Sequence, residues 1–421
     1  MKKLFDKIHN NKVLFKNFTS LSLLQLANYI FPIITLPYLV RVLGPEKYGL
    51  INFATAFAGY FTMLTDYGFN LSATQEVSVN RNNKEKISEI FSSVITIKTL
   101  LFFLSGLIFF VVTFSFPLFH SHIDLFTVTF LGVLGTVLFP LWLYQGIEQM
   151  KYILIINVLI RSITVIMIFV IVKTENDFLI LAILYTVTHL IVGASGLIFA
   201  IKKFDLSFVF PSMIQLREQL KKGWNLFLST IWINLYTTSN VFILGLFAPN
   251  NIVGYYAAAD KIRIAFQGLL SSMSQSVFPY VSKLLSESYE RFIGFNKKLL
   301  RIAFAAGLII SVVLFLFAEP IVDIVLGNNY EQSITVLRII AWLPLVIFLS
   351  NVSGIQTMLP LNKHKSFSTI LLLAALINLT LAFILVPNYF EIGTAVAVLI
   401  TEIFVTFSFF IFLRRNSVKL I

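Results

Sequence analysis

The stretch FTSLSLLQLANYIFPIITLPYLVRVLGPEKYG, Phe18 to Gly49, decides the fold. Its first part, Phe18 to Val40, is an apolar run of the length a helix needs to cross a hydrocarbon core, about 20 residues for about 30 Å. Lys2, Lys3, Lys7, Lys12 and Lys16 precede it, as in a secretory signal. The run nevertheless exceeds the roughly 7 to 15 apolar residues of such a signal and no small-residue cleavage site follows, so it reads as a retained transmembrane helix. Its second part, Arg41 to Gly49, is a polar turn that hands the chain to the next apolar run.

That turn has an echo half a chain later, at Phe247-Ala-Pro-Asn-Asn-Ile-Val-Gly254. In both, an apolar segment stops at a proline (Pro45, Pro249), polar residues follow, and a glycine opens a segment rich in Tyr and Ala; the two glycines are 205 residues apart. A second pair keeps the offset, since Gly146-Ile-Glu-Gln-Met150 and Gly354-Ile-Gln-Thr-Met358 are 208 apart. Two landmarks in one order point to an internal duplication.

The composition agrees with a membrane protein. Hydrophobic residues make up 57% and charged residues 12%, with a mean hydropathy of +0.87, against about 25% charged in an ordinary soluble domain. A net charge of +12 suggests nucleic acid only where a large water-facing surface carries it, and nearly every water-facing segment here is short. The absence of cysteine excludes a disulfide framework and thiolate metal sites. Twelve spans are expected, at 18–41, 49–70, 91–115, 124–145, 152–172, 178–200, 223–247, 253–280, 301–319, 333–359, 366–386 and 392–413. With the N-terminus in the cytoplasm, 24 of the 32 Lys and Arg fall in cytoplasmic segments and two, Lys47 and Lys173, outside. The positive-inside rule therefore predicts both termini in the cytoplasm. Six spans per half return the chain to its starting side, so the halves share one orientation. The expected fold is all-α: two pseudo-symmetric six-helix bundles, residues 1–210 and 211–421, around a central cavity. The Lys202 to Lys222 stretch is the cytoplasmic linker, its Gln215 to Lys222 part basic enough to lie on an anionic membrane surface.

The six remaining cations, Arg41, Lys98, Arg161, Lys261, Arg263 and Arg338, lie within or at the ends of spans. A charge at the bilayer centre costs at least about 2.5–3.5 kcal/mol, so each needs a wet cavity, a bundle interior or a partner. They sample several depths, as a multivalent anion crossing an apolar protein requires, because guanidinium binds phosphate oxygens bidentately and ammonium acts as a point charge. These six are the candidate substrate-binding residues. Competing readings stand beside them: Asp260 and Arg263 are i, i+3 on one helix and can pair, leaving Lys261 as the better ligand, and Arg41 can snorkel to the outer interface. Asp66, Glu148 and Asp260 are candidates for gating or ion coupling, and Glu402 is a further acid in a span; pairing at a solvated helix end competes for the first two. Pro32 and Pro37 should bend the first helix.

No G-x-x-x-x-G-K-[ST] phosphate loop occurs, and no extramembrane segment is long enough for a nucleotide motor or a catalytic domain. His120 and His122 form an H-x-H pair without a third ligand, and His189 reads as a bundle histidine. No metal or cofactor is expected, and no enzymatic activity.

The run R-V-L-G-P-E-K-Y-G-L from Arg41, D-Y-G-F-N from Asp66, T-Q-E-V-S from Thr74, Gln145-Gly146-Ile147-Glu148 followed by N-x-x-x-R ending at Arg161, and Y-Y-A-A-A-D-K ending at Lys261 together resemble a Wzx-type polysaccharide flippase. That family shares a superfamily with MATE exporters and lipid II flippases. The resemblance implies a bacterial inner-membrane protein that moves undecaprenyl-pyrophosphate-linked oligosaccharide repeat units to the outer leaflet, with membrane lipids, a polysaccharide polymerase and a chain-length regulator as partners and no nucleic acid. It also implies a cationic cavity, in which Arg161 and Lys261 stand at motif positions. The alternative is a MATE-like exporter of small organic cations, which requires a deep acid where this chain carries bases.

Overall fold

The computed structural model describes the backbone of residues 2–418 and 420, and their side chains except at 2–18, 21, 225, 229, 233, 237, 269–276 and 279. Lys2, Lys3, Lys7, Lys12, Lys16 and Lys419, which contribute to the expected orientation, lie outside the described side chains. Among the described residues no strand occurs. The helices are α1 (Lys2–Asp66), α2 (Phe69–Val79), α3 (Lys84–Ser115), α4 (Pro117–His120), α5 (Ile123–Leu138), α6 (Leu141–Gly146), α7 (Met150–Ile171) and α8 (Phe178–Phe204). They continue as α9 (Met213–Thr237), α10 (Ser239–Phe247), α11 (Asn250–Glu287), α12 (Tyr289–Leu316), α13 (Ala318–Val325), α14 (Gln332–Ile340), α15 (Leu343–Ser353) and α16 (His364–Arg415).

Eight described helices are long and apolar enough to cross a membrane, nine if Leu226–Tyr236 and Ser239–Phe247 form one bent span. Two of the eight, Ser22–Val79 and His364–Arg415, run for 58 and 52 residues, and each covers two of the expected spans. Both are broken inside by a non-helical residue, Gly44 (φ 67°) and Phe390 (φ 44°). At Gly44 a Cβ would meet nothing within 4 Å, so glycine is needed there for its left-handed conformation rather than for space. Several expected spans are interrupted. The one at 124–145 stops at Leu138 and resumes at Leu141, because Pro140 cannot donate into the helix. The one at 333–359 is split between α14, α15 and a π-helical turn at Gly354–Met358.

The chain folds into two compact units, Met1–Phe31 with Ala54–Ile231 and Pro32–Phe53 with Trp232–Ile421. The expected division at residue 210/211 differs from this at two places, each with a packing reason. Residues 32–53 join the second unit through the echoed turns: a Cβ on Gly49 would stand 1.8 Å from the Asn250 carbonyl oxygen, and one on Gly254 2.0 Å from that of Pro45. The two backbones touch directly, and Phe53 stacks on Phe242 at 5.6 Å beside them. Residues 211–231 join the first unit because Glu76 accepts from Gln219 Nε2 at 2.8 Å and Lys222 Nζ at 2.9 Å, while Tyr67 stacks on Phe227 at 4.6 Å.

Within the first unit, Trp142, Leu143 and Tyr144 of α6 are buried against Phe69, Val77, Phe91 and Val94. Tyr144 Oη donates to the Gly196 carbonyl at 2.6 Å. Apolar burial supplies little net drive between helices in lipid, so close packing must supply it. The tightest seam joins α5 to α8: a Cβ on Gly135 would lie 2.2 Å from the His189 carbonyl oxygen, and one on Gly193 2.3 Å from that of Gly135. On α3, Leu100, Phe103, Leu107, Phe110 and Phe114 are exposed, a stripe at helical spacing suited to lipid.

Candidate functional site

A cavity of about 280 Å³ opens inside the first unit, walled by α1, α2, α5, α7 and α8. Its polar lining includes Asn28, Thr62, Asp66, Asn70, Thr136, Asn157, Arg161 and His189. The D-Y-G-F-N motif supplies Asp66 and Asn70, and N-x-x-x-R supplies Asn157 and Arg161. An i, i+4 spacing puts two helical residues on one face, so Asn157 and Arg161 reach the same wall. Asn28 precedes Pro32 by one helical turn, and its side-chain oxygen accepts from Arg161 Nη1 at 2.5 Å.

Lys98 stands behind this wall. Its side chain is 2% exposed, and Nζ donates to Asp66 Oδ1 at 3.1 Å and to the Thr136 carbonyl at 3.0 Å. Pro140 explains the second bond. The Thr136 carbonyl would ordinarily accept from the amide four residues on, and a proline has none, so Lys98 satisfies an acceptor that the helix leaves open. Asp66 is satisfied at its other oxygen too, Oδ2 accepting from Asn70 Nδ2 at 2.9 Å. The expected role of Lys98 as a substrate ligand is at odds with this arrangement, because both the ammonium and its counterion are already paired. With Asp66 and Lys98 cancelling, Arg161 is, among the described residues, a cation on the cavity wall without an ion-pair partner. The amides beside it are held by the protein, Asn28 Nδ2 donating to Gln25 Oε1 at 3.3 Å and Asn157 Nδ2 to the Ile153 carbonyl at 2.9 Å.

The remaining candidates are placed elsewhere. Glu148 sits between α6 and α7 with φ 62° and pairs with Arg81 Nη2 at 2.7 Å. That hydrogen bond holds the Arg81 guanidinium above its ordinary value. In the second unit, Arg263 Nε donates to Asp260 Oδ1 at 2.7 Å, the i, i+3 pair expected from their spacing, and Nη1 donates to Gln267 Oε1. Lys261, one residue from Asp260, is exposed, and among the described residues no hydrogen bond or ion pair holds its ammonium. Arg41 donates to the Ile324 carbonyl near the C-terminal end of α13 and lies beside Gly327, where a cation complements the helix dipole. Arg338 lies 3.5 Å from Glu319, both exposed. Arg161 and Lys98 share a neighbourhood in one unit, Lys261 and Arg263 share a helix in the other, and Arg41 and Arg338 make structural contacts.

Two residues carry more than their sequence positions announced. Glu402, 8% exposed on α16, is a buried acid close enough to Arg263 to interact electrostatically. His189, read as a bundle histidine, lies on the cavity wall with Arg161. The available signal for it was Gly135, which lets the α8 backbone at His189 come close to α5. Among the described residues, no cluster of His, Cys, Asp and Glu has the composition of a metal site.

A family model described as polysaccharide biosynthesis protein matches residues 14–285. The chain is 35% identical over 411 residues to a protein of Escherichia coli (strain K12) named "Putative O-antigen transporter", covering 97% of this chain and 99% of that one. In fold it is similar to the lipid II flippase MurJ in an inward closed conformation, with a TM-score of 0.74 at 16% identity, covering 96% of this chain and 87% of that one. It is also similar to an inward-facing multidrug resistance MATE family transporter of the MOP superfamily, with a TM-score of 0.69 at 13% identity, covering 95% and 98%.

Proposed function

Since the chain belongs to the polysaccharide biosynthesis protein family, we propose that it is a flippase for undecaprenyl-pyrophosphate-linked oligosaccharide repeat units, carrying them by alternating access for surface polysaccharide such as O-antigen, capsule or exopolysaccharide. The observation that carries the site is the wall around Arg161: a guanidinium that has no counterion among the described residues, beside amides and an Asp66 already paired with Lys98. Such a wall suits a phosphoryl oxygen, which guanidinium grips with two parallel hydrogen bonds. It repels an organic cation, which is why a MATE-like drug exporter is the weaker reading.

Arg161 is the phosphate ligand of the first unit and Lys261 that of the second, with Arg263 held by Asp260 and Gln267. Asp66 is the group best placed for ion coupling, because the cavity reaches it and its protonation would loosen its hold on Lys98. Glu148 and Arg81 form a latch between loops. The membrane potential assists the outward step, moving one net negative charge being favourable by about 2.3 kcal/mol per 100 mV. The setting is the bacterial cytoplasmic membrane with both termini inside, the partners a polymerase and a chain-length regulator. Transport involves no bond-making chemistry by the protein.

The test is complementation of a strain lacking its own transporter. Arg161→Ala should lower surface polysaccharide at least about tenfold at unchanged protein level, the loss expected of one charge-assisted contact worth about 1.5–3 kcal/mol. Arg161→Lys should keep part of the activity, retaining charge but not the planar fork. Wild-type polysaccharide from Arg161→Ala would refute the assignment.

A further inference from the structure

We infer that His189 is a substrate-reading residue, its Nε2 accepting a hydrogen bond from a hydroxyl on the sugar attached to the phosphate that Arg161 holds. The inference rests on the reading of Arg161 as the phosphate ligand and adds to it the class of group beside that phosphate.

Three observations combine. His189 and Arg161 line one cavity, on α8 and α7 respectively. His189 Nδ1 lies 2.8 Å from the Tyr185 carbonyl oxygen. A carbonyl only accepts, so Nδ1 bears the proton, and in the neutral imidazole Nε2 is left as an acceptor. Among the described residues no group donates to it. Finally, α5 fixes where the ring stands: a Cβ on Gly135 would collide with the His189 backbone, so the close approach at Gly135 sets the start of the side chain, and Nδ1 lies within ordinary contact distance, 3.9 Å, of a Cβ position at Gly132. The imidazole is exposed although α5 and α8 are packed backbone to backbone, the condition of a residue on a cavity wall.

A guanidinium donor beside an imidazole acceptor sorts ligands by chemistry. The ionised phosphodiester oxygens of a lipid-linked pyrophosphate offer acceptors only, and would face the Nε2 lone pair without a bridging proton. The polyprenyl side of the phosphate carries no hydroxyl. A glycosyl phosphate carries both groups, an anionic oxygen for Arg161 and, one or two carbons away, a hydroxyl that donates to Nε2. The volume, about nine times one water's liquid share of about 30 Å³, admits more than a phosphoryl group alone. A hydrogen-bonding site rejects analogues that lack the hydroxyl, since its own polar atom is then left unpaired. The assignment therefore makes this cavity the part of the transporter that inspects the first sugar.

The test uses the full chain in lipid nanodiscs and two probes that differ by one hydroxyl, 2-hydroxyethyl phosphate and ethyl phosphate, with affinities from saturation-transfer NMR. Wild type should prefer the hydroxylated probe by about three- to tenfold, the range for one neutral hydrogen bond. His189→Phe should abolish the preference while holding ethyl phosphate affinity within about twofold. His189→Gln, whose Oε1 accepts, should keep part of it, and serves if the Phe variant does not fold. No preference in wild type, or a preference that survives His189→Phe, overturns the inference. So does an equal loss of both probes on His189→Phe that deepens from pH 8 to pH 6, which would make His189 a cation among Asp66, Lys98 and Arg161. Arg161→Ala is the separate control: undiminished binding of both probes would refute the phosphate assignment, whereas the His189 outcomes are read from the ratio between probes.

Discussion

Removing the carboxylate from the Asp66–Lys98 pair should harm the protein more than removing the ammonium. The two side chains differ in burial, 2% exposed for Lys98 and 30% for Asp66. Asp66→Asn leaves a buried ammonium without a counterion, and breaking a buried pair in this way costs about 3–5 kcal/mol. Lys98→Met leaves Asp66 facing the cavity, where water and Asn70 still solvate it, and the Thr136 carbonyl without a donor, a loss of about 1–3 kcal/mol. In a unit of this size each kcal/mol moves the midpoint by about 2–4 °C. Asp66→Asn is therefore expected to lower the thermal transition by about 6–20 °C and Lys98→Met by about 2–12 °C. Adding Lys98→Met to Asp66→Asn should raise the midpoint, because the stranded charge goes with the lysine. The assay is thermal unfolding of purified protein in one detergent at pH 7.5 and fixed scan rate. Lys98→Met proving the costlier change, or a double variant with the sum of both losses, would refute the reasoning.

Other expectations follow from single contacts. Gly135→Ala puts a methyl 2.2 Å from the His189 carbonyl oxygen, and overpacking of this kind costs about 1–3 kcal/mol; the same thermal assay should register it, with a drop in export that exceeds the fall in protein level. Glu148→Gln breaks a pair whose members are 39% and 35% exposed, and such pairs contribute about 0–1 kcal/mol; stability should hardly move, so any loss of export in cells would report on gating. Arg41→Ala and Arg338→Ala should preserve more than half of the surface polysaccharide, their contacts being structural, in contrast to Arg161→Ala.

The sequence carried the membrane class, most of the long apolar helices and the breaks that follow from local chemistry, because apolar run length and glycine or proline punctuation act over a few residues. Gly44 and the Asp260–Arg263 pair belong to this legible part. What was not legible depends on partners far along the chain. Lys98 looked like a ligand because Asp66 is 32 residues away and the open Thr136 carbonyl 38; only Pro140 hinted at the latter. Arg41 finds its acceptor 283 residues on, which no local pattern announces. The division at Phe31/Pro32 arises from two turns meeting in space, and that at Ile231/Trp232 rather than at 210/211 from the contacts of Glu76 and Tyr67 with residues more than 140 positions on. Arg161 and Asn157 were readable as a pair from i, i+4 spacing, but that Asn28 and His189 complete their wall required the fold.

The meeting of Gly49 and Gly254 has a consequence for how the two halves can change over generations. In most packed contacts a larger residue on one side is accommodated by a smaller one opposite. Here each glycine faces the other turn's main chain, the Asn250 and Pro45 carbonyls, and a main chain cannot be trimmed. No second-site replacement at the opposing position can rescue a side chain at either glycine. If the halves descend from one ancestral segment, their freedom to drift apart stops at this point, where each copy serves as the mould for the other.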